Sequence, residues 1–218
     1  MKYKSLIICL VVAAFGASLA GCTFIVQTGR RSDVQKIEQL SRELDELSQT
    51  KRLLEDRLSK EIQDKQVSLK MMEKGLVIDF VADVLFDSGK AKIKPEAYPI
   101  LDKVARILKE NVPDLNVGIE GHTDNVPITR SNWKSNWELS TARALSVLHY
   151  MEKKEGISPE RLSAIGYGEY RPVVSNATVA GRKQNRRVEV VILPKITKAS
   201  KDAVGEPETL IETSENLK

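Results

Sequence analysis

Residues 118–143, GIEGHTDNVPITRSNWKSNWELSTAR, restrict the fold of this chain more than any other stretch. Val117, Ile119 and Gly121 fall on one side of the run leading in, and Gly118, Glu120 and His122 on the other. That alternation is the period of a half-buried strand. A polar loop with Asn125, Pro127 and Ser131 ends it. A helix is expected from about Asn136, carrying Arg143 two turns in. Asp124 then sits at the mouth of the strand and Arg143 on the helix that returns along the same sheet. Such a unit lets an acid and a base face each other across a small cleft. The pair suits a ligand that carries both an ammonium and a carboxylate.

The neighbouring segments extend this unit into a domain. Residues 76–81 read as a strand, followed by the loop Leu85-Phe86-Asp87-Ser88-Gly89. Pro95 suits the start of the next helix, whose buried stripe is Leu101, Val104 and Leu108, and Asn111-Val112-Pro113 stops it. In the central helix Trp137, Ala144, Val147, Leu148 and Met151 share an arc of about 100° and are expected to face the sheet, with Arg143 on its flank. The last strand covers residues 188–193. Strands alternating with helices imply an α/β fold, a βαβαβ sandwich in which helices pack on a mixed sheet, over residues 75–194. A chain of 218 residues has room for one such domain and appendages.

The appendages come first. Lys2 and Lys4 precede a short apolar run and the small-residue ending Leu19-Ala20-Gly21-Cys22, the outline of a cleavable export signal over residues 1–21. The run is shorter than the roughly 20 residues a spanning helix needs. The ending resembles the bacterial lipoprotein box, which implies an acylated Cys22 at the head of a tether over residues 22–32. In that resemblance Thr23, in place of an aspartate, points to the outer membrane, with the protein lipid-anchored on its periplasmic face. Next, Ile37, Leu40, Leu44, Leu47, Leu54 and Leu58 recur at steps of three and four, and no Gly or Pro interrupts residues 32–74. The spacing predicts one long helix of coiled-coil type over residues 33–74, a stalk of about 60 Å. A helix folded back on the domain is the alternative. A homo-oligomer through the stalk stays open. Residues 195–218 lack periodicity and read as a disordered tail.

Five ordered segments carry a more specific likeness: FDSGKAKIKPEA, IEGHTDNVP, SNWELSTARA, LSAIGYGEYRPV and GRKQNRRVEVVIL. Together they resemble the OmpA-like peptidoglycan-binding domain, and the loop between Asp124 and Arg143 is similar to its MotB variant. The resemblance implies non-covalent binding of the diaminopimelate in peptidoglycan stem peptides. Asp124 would take the ligand ammonium and Arg143 its carboxylate. Thr123, Asp87, Asn136 and Arg186 would complete the pocket. The physics agrees, because a guanidinium offers a planar two-pronged donor to a carboxylate.

Composition narrows the remaining classes. The net charge of +4 falls to about +2 once Lys2 and Lys4 of the expected export signal are set aside, which is too mild for nucleic acid, even with Arg182, Lys183, Arg186 and Arg187 close together. His122 and Asp124 share a face if the strand continues, but with His149 the only other histidine a metal is not expected. His122 is expected to be hydrogen-bonded at the strand end. Trp137 is expected to pack, and Trp133 is left undecided. No phosphate loop or nucleophile elbow is present, so neither a cofactor nor catalysis is implied. The expected role is an outer-membrane lipoprotein that tethers the membrane to the wall. A MotB-like stator subunit is the alternative, though residues 5–22 contain no acid for ion transfer. A wall-acting enzyme comes last.

Overall fold

β-Branched and aliphatic runs build a five-stranded sheet whose order is β1-β2-β5-β3-β4. The computed structural model describes residues 33–129 and 132–194. The strands are β1 (Val67–Met72), β2 (Gly75–Val81), β3 (Asn116–His122), β4 (Leu162–Gly166) and β5 (Arg187–Leu193). β1 and β2 form an antiparallel hairpin, and β5 pairs antiparallel with both β2 and β3. β4 joins β3 in parallel through the crossover helix α5 (Asn136–Lys153). The expected mixed sheet with packed helices is therefore present. Its N-terminal helix, α1, occupies described residues 33–57. The segments expected at residues 1–32, including Cys22, and the tail expected at 195–218 lie outside the described residues.

One side of the sheet carries the core. Phe80, Ile119, Val190 and Ile192 point into a cluster closed by α4 (Tyr98–Glu110) and α5. α4 buries Leu101, Val104 and Leu108, the stripe its spacing predicts, and Pro99 sits harmlessly in its first turn. α5 is capped by Ser135, whose Oγ accepts from the Trp137 N–H at 3.1 Å. It buries Ala144, Val147 and Met151 against the sheet. The helix lies unusually close to β3 and β4. A Cβ on Gly121 would stand 2.0 Å from the Ser140 carbonyl oxygen, and one on Gly166 would stand 2.1 Å from Thr141 Oγ1.

Two expectations need correction. The helix read over residues 33–74 stops early: after α1 comes the short α2 (Ser59–Gln63), and Lys65 turns the chain in a left-handed conformation with φ 56°. Val67–Met72 then pairs with β2, and Glu73-Lys74 is the two-residue turn of a hairpin. The physical cause is visible in the seam, which loses its apolar residues after Leu58, while the next run can satisfy its main chain on β2. The domain thus begins at β1 and not at residue 75. The seam itself divides. Leu47, Leu54 and Leu58 are buried in the domain core, whereas Ile37, Leu40 and Leu44 are exposed. Lys103 of α4 holds Glu61 of α2 at 2.7 Å.

The second correction concerns Trp137. It is 47% exposed and stacks on Tyr170, with ring centroids 5.0 Å apart. The loop after β4, not the sheet, underlies the first turn of α5. The Gly168 N–H donates to Ser140 Oγ at 2.9 Å, so the fully buried Ser140 faces inward at that level.

Candidate functional site

The loop that follows β3 carries Thr123 and Asp124, and α5 carries Arg143. α3 (Ala82–Leu85) leads into the segment containing Phe86, Asp87 and Lys90. α6 (Val179–Asn185) delivers Arg186 immediately before β5. These elements meet in one open cleft of about 1370 Å³. It brings together all six residues expected from the sequence: Asp87, Thr123, Asp124, Asn136, Arg143 and Arg186.

Arg143 is the least ordinary of them. It is 4% exposed, yet among the described residues no carboxylate forms an ion pair with it. Its Nε donates to the Lys90 carbonyl at 2.9 Å and its Nη2 to the Asp87 carbonyl at 3.3 Å. The guanidinium carbon lies 5.3 Å from the centre of the Phe86 ring. Burial is the main reason its pKa falls to about 10, with Arg186 pulling the same way and Asp83 and Asp124 opposing. A buried cation held by two carbonyls and a ring face is oriented but not neutralised. Its remaining donors suit a carboxylate, and the low-dielectric surroundings strengthen that contact.

Asp124 is in the opposite condition. Its Oδ2 accepts from Arg186 Nη1 at 2.8 Å, and its Oδ1 accepts from the Val126 N–H at 3.1 Å. Arg186 also reaches Asp83 at 3.1 Å. Burial works against the Arg186 charge, but the hydrogen bonds to Asp124 and Asp83 outweigh it and hold its pKa above the usual value. An ammonium entering here would share Asp124 with Arg186, which the spare lone pairs of a carboxylate permit.

The other three residues shape the cleft. Thr123 donates through Oγ1 to the Asp124 carbonyl at 2.9 Å, and its N–H reaches the Gly168 carbonyl. The Asn136 amide reaches the Val126 carbonyl at 3.2 Å and Glu169 at 2.7 Å, so it ties the loop after β3 to the loop after β4. The Asp87 carboxylate is exposed and pairs with Lys90 at 3.0 Å, which lowers its pKa. Its main-chain carbonyl, rather than its carboxylate, meets Arg143. Trp133 closes the same segment by donating its indole N–H to the Gly89 carbonyl at 2.9 Å.

Several contributors were not foreseen. Asp83 and the carbonyls of Asp87 and Lys90 carry no pattern that a sequence can reveal. Asn185 could have been found, as it stands in the same NRR segment as Arg186. It is fully buried, and its side chain accepts from the Val173 and Val174 N–H groups. The basic cluster is not one patch: Arg186 enters the cleft, and Arg187 turns to the opposite face and pairs with Glu189 at 2.7 Å. His122 also lies on that face, not beside Asp124, because the strand alternation ends before the loop. Neither ring nitrogen has a hydrogen-bond partner among the described residues, contrary to expectation. Burial drives the His122 pKa down to about 3.

Comparison with known proteins agrees with this architecture. The OmpA family matches residues 85–186. The chain is 39% identical to motility protein B of Bacillus subtilis, over 76% of this chain and 59% of that one. It spans between 34% and 59% of the length of the first curated relatives it matches. A solved structure of a protein described as MotB-like, from Desulfovibrio vulgaris, superposes with a TM-score of 0.65 at 28% identity. That match covers 71% of this chain and 95% of the other. The cell wall anchor of the type VI secretion system from Pseudomonas aeruginosa superposes with a TM-score of 0.59 at 32% identity, covering 65% and 97%. The strand order, the cleft at the end of β3 and these likenesses together show that the chain carries an OmpA family domain over residues 85–186.

Proposed function

We propose that this protein binds peptidoglycan without covalent chemistry. Its cleft would take the zwitterionic end of a diaminopimelate residue, with the carboxylate on Arg143 and the ammonium on Asp124. The observation that carries this reading is Arg143 itself, a buried guanidinium fixed by two main-chain carbonyls and paired with no carboxylate among the described residues. A ligand carboxylate would supply the missing charge. The cell wall anchor among its structural relatives supports the same reading.

The test is retention of the full chain, in detergent, on purified sacculi of the diaminopimelate type. Wild type should be retained, and Asp124→Ala and Arg143→Ala should be lost while keeping their circular dichroism. Equal retention of all three would remove the site from this cleft. Release of soluble fragments from the sacculi would show an enzyme instead of a binding module.

The anchoring half of the proposal is a lipid on Cys22 that holds the protein in the outer membrane and lets the domain tether that membrane to the wall. A second reading, a wall anchor for a motility stator, is favoured by one observation: the likeness to motility protein B runs over 76% of the chain, more than the domain alone. Palmitate labelling that disappears in Cys22→Ser, together with membrane fractionation, separates the two. Unlabelled protein in the inner membrane would favour the stator.

A further inference from the structure

On the face of the sheet away from α4 and α5, β3 and β5 bring two acids directly opposite one another. Glu120 and Glu189 are register partners. Both are nearly buried, at 8% and 6% exposure. Like charges in that position repel across the strands, so a cation belongs between them. The Lys74 ammonium supplies one, 2.6 Å from each carboxylate. Lys74 comes from the two-residue β1–β2 turn and is partly exposed, so it can leave without unfolding a strand.

The third group at this point is His122. It is 3% exposed, and both ring nitrogens lack hydrogen-bond partners among the described residues. Its Nε2 lies 3.9 Å from Glu120 and 3.8 Å from Glu189. A buried imidazole with two unmet nitrogens is costly, and such a group in a native fold calls for an explanation. One ligand atom from each of the three residues falls within 4.8 Å of the others. In a tetrahedral zinc site, with bonds of about 2.0–2.1 Å, ligand atoms stand about 3.3 Å apart. Small rotations of two carboxylates close that gap. A cavity of about 340 Å³ adjoins the cluster and leaves room for water as a fourth ligand.

We propose that Glu120, His122 and Glu189 form a binding site for a divalent transition-metal ion of the Zn²⁺ class, in which Lys74 is the tethered cation that the metal displaces. One imidazole nitrogen with two carboxylate oxygens suits Zn²⁺ better than Mg²⁺ or Ca²⁺, which prefer all-oxygen shells. Arg187 donates from Nε to Glu189 at 2.7 Å and from Nη2 to the Arg171 carbonyl at 3.2 Å. It therefore keeps Glu189 aimed at the ion as a positioning residue. The ion would cross-link β3 to β5 on the face that α4 and α5 leave uncovered. This site is independent of the Arg143 cleft.

The experiment is Zn²⁺ titration by calorimetry of the full chain in detergent. Cys9→Ser, Cys22→Ser and His149→Gln are introduced throughout to remove other ligands. One equivalent should bind, with Lys74→Met binding at least tenfold more tightly and His122→Gln at least tenfold more weakly. Zn²⁺ should raise the melting temperature of the first two proteins and not of His122→Gln. The zinc absorption edge of the unaltered cluster should report a single imidazole among oxygen ligands, a readout that needs no variant to fold. Equal affinity in the His122→Gln protein, no gain in Lys74→Met, or an edge spectrum without imidazole would each overturn the site.

Discussion

Arg143 performs two tasks with one side chain. Nε and Nη2 hold the carbonyls of Lys90 and Asp87, and the rest of the fork is turned to the cleft. Lysine keeps the charge but lacks the planar fork. Arg143→Lys should therefore weaken sacculus binding at least tenfold, about 1.4 kcal/mol, in a sedimentation assay; full affinity would mean that charge alone is read. Asp124→Asn gives a different signature. Arg186 keeps Asp83 as partner, so no charge is stranded. Asp124 is buried and loses charge-assisted hydrogen bonds, so the stability cost should be about 1–3 kcal/mol by urea denaturation, while sacculus binding is lost. That Asp124 and Arg143 would line one cleft was legible from residues 118–143, because strand, loop and helix periods are local properties. That Asp124 would be held by Arg186, while Arg143 has no carboxylate partner among the described residues, was not legible. It depends on α6 arriving from the far end of the chain and on main-chain carbonyls that have no residue type.

At the level of elements, the tight seating of α5 on β3 is what fixes the distance between strand end and helix. Gly121→Ala places a Cβ against the Ser140 backbone, which cannot swing aside as a side chain can. The expected loss is about 3 kcal/mol or more, read as a lower urea midpoint, with sacculus binding impaired as well. α1 offers a paired test of which half is attached. Leu54 is fully buried and Leu40 is 52% exposed. Leu54→Ala should cost about 2–5 kcal/mol, and Leu40→Ala no more than about 0.5 kcal/mol; equal effects would contradict the division of the seam. The apolar steps of three and four were read correctly as a helix. Their partner was not, since a heptad pattern looks the same whether it faces another helix or the side of a domain. β1 was missed because its burial is irregular and no Gly or Pro precedes it; only pairing with β2 makes it a strand.

Across the whole molecule, two polar clusters lie on opposite sides of β3 and β5. Arg186 serves the cleft and Arg187 the other face, one residue apart. The fold class followed from the order of strand and helix periods, whereas the sheet order did not, because pairing between distant strands leaves no mark on either. β5 stands at the centre, between β2 and β3, although it is the last strand in sequence among the described residues. Until residue 193 is available the chain can form only a β1–β2 hairpin and a β3–β4 pair, each with a bare edge where β5 will insert. Those edges are a hazard for association with other chains, and the long sequence separation makes closure slow. A chain cut after Arg186 should show no cooperative melting at all. The domain is thus kept waiting throughout its synthesis, and one late strand converts two unfinished halves into a single sheet with both of its polar sites assembled at once.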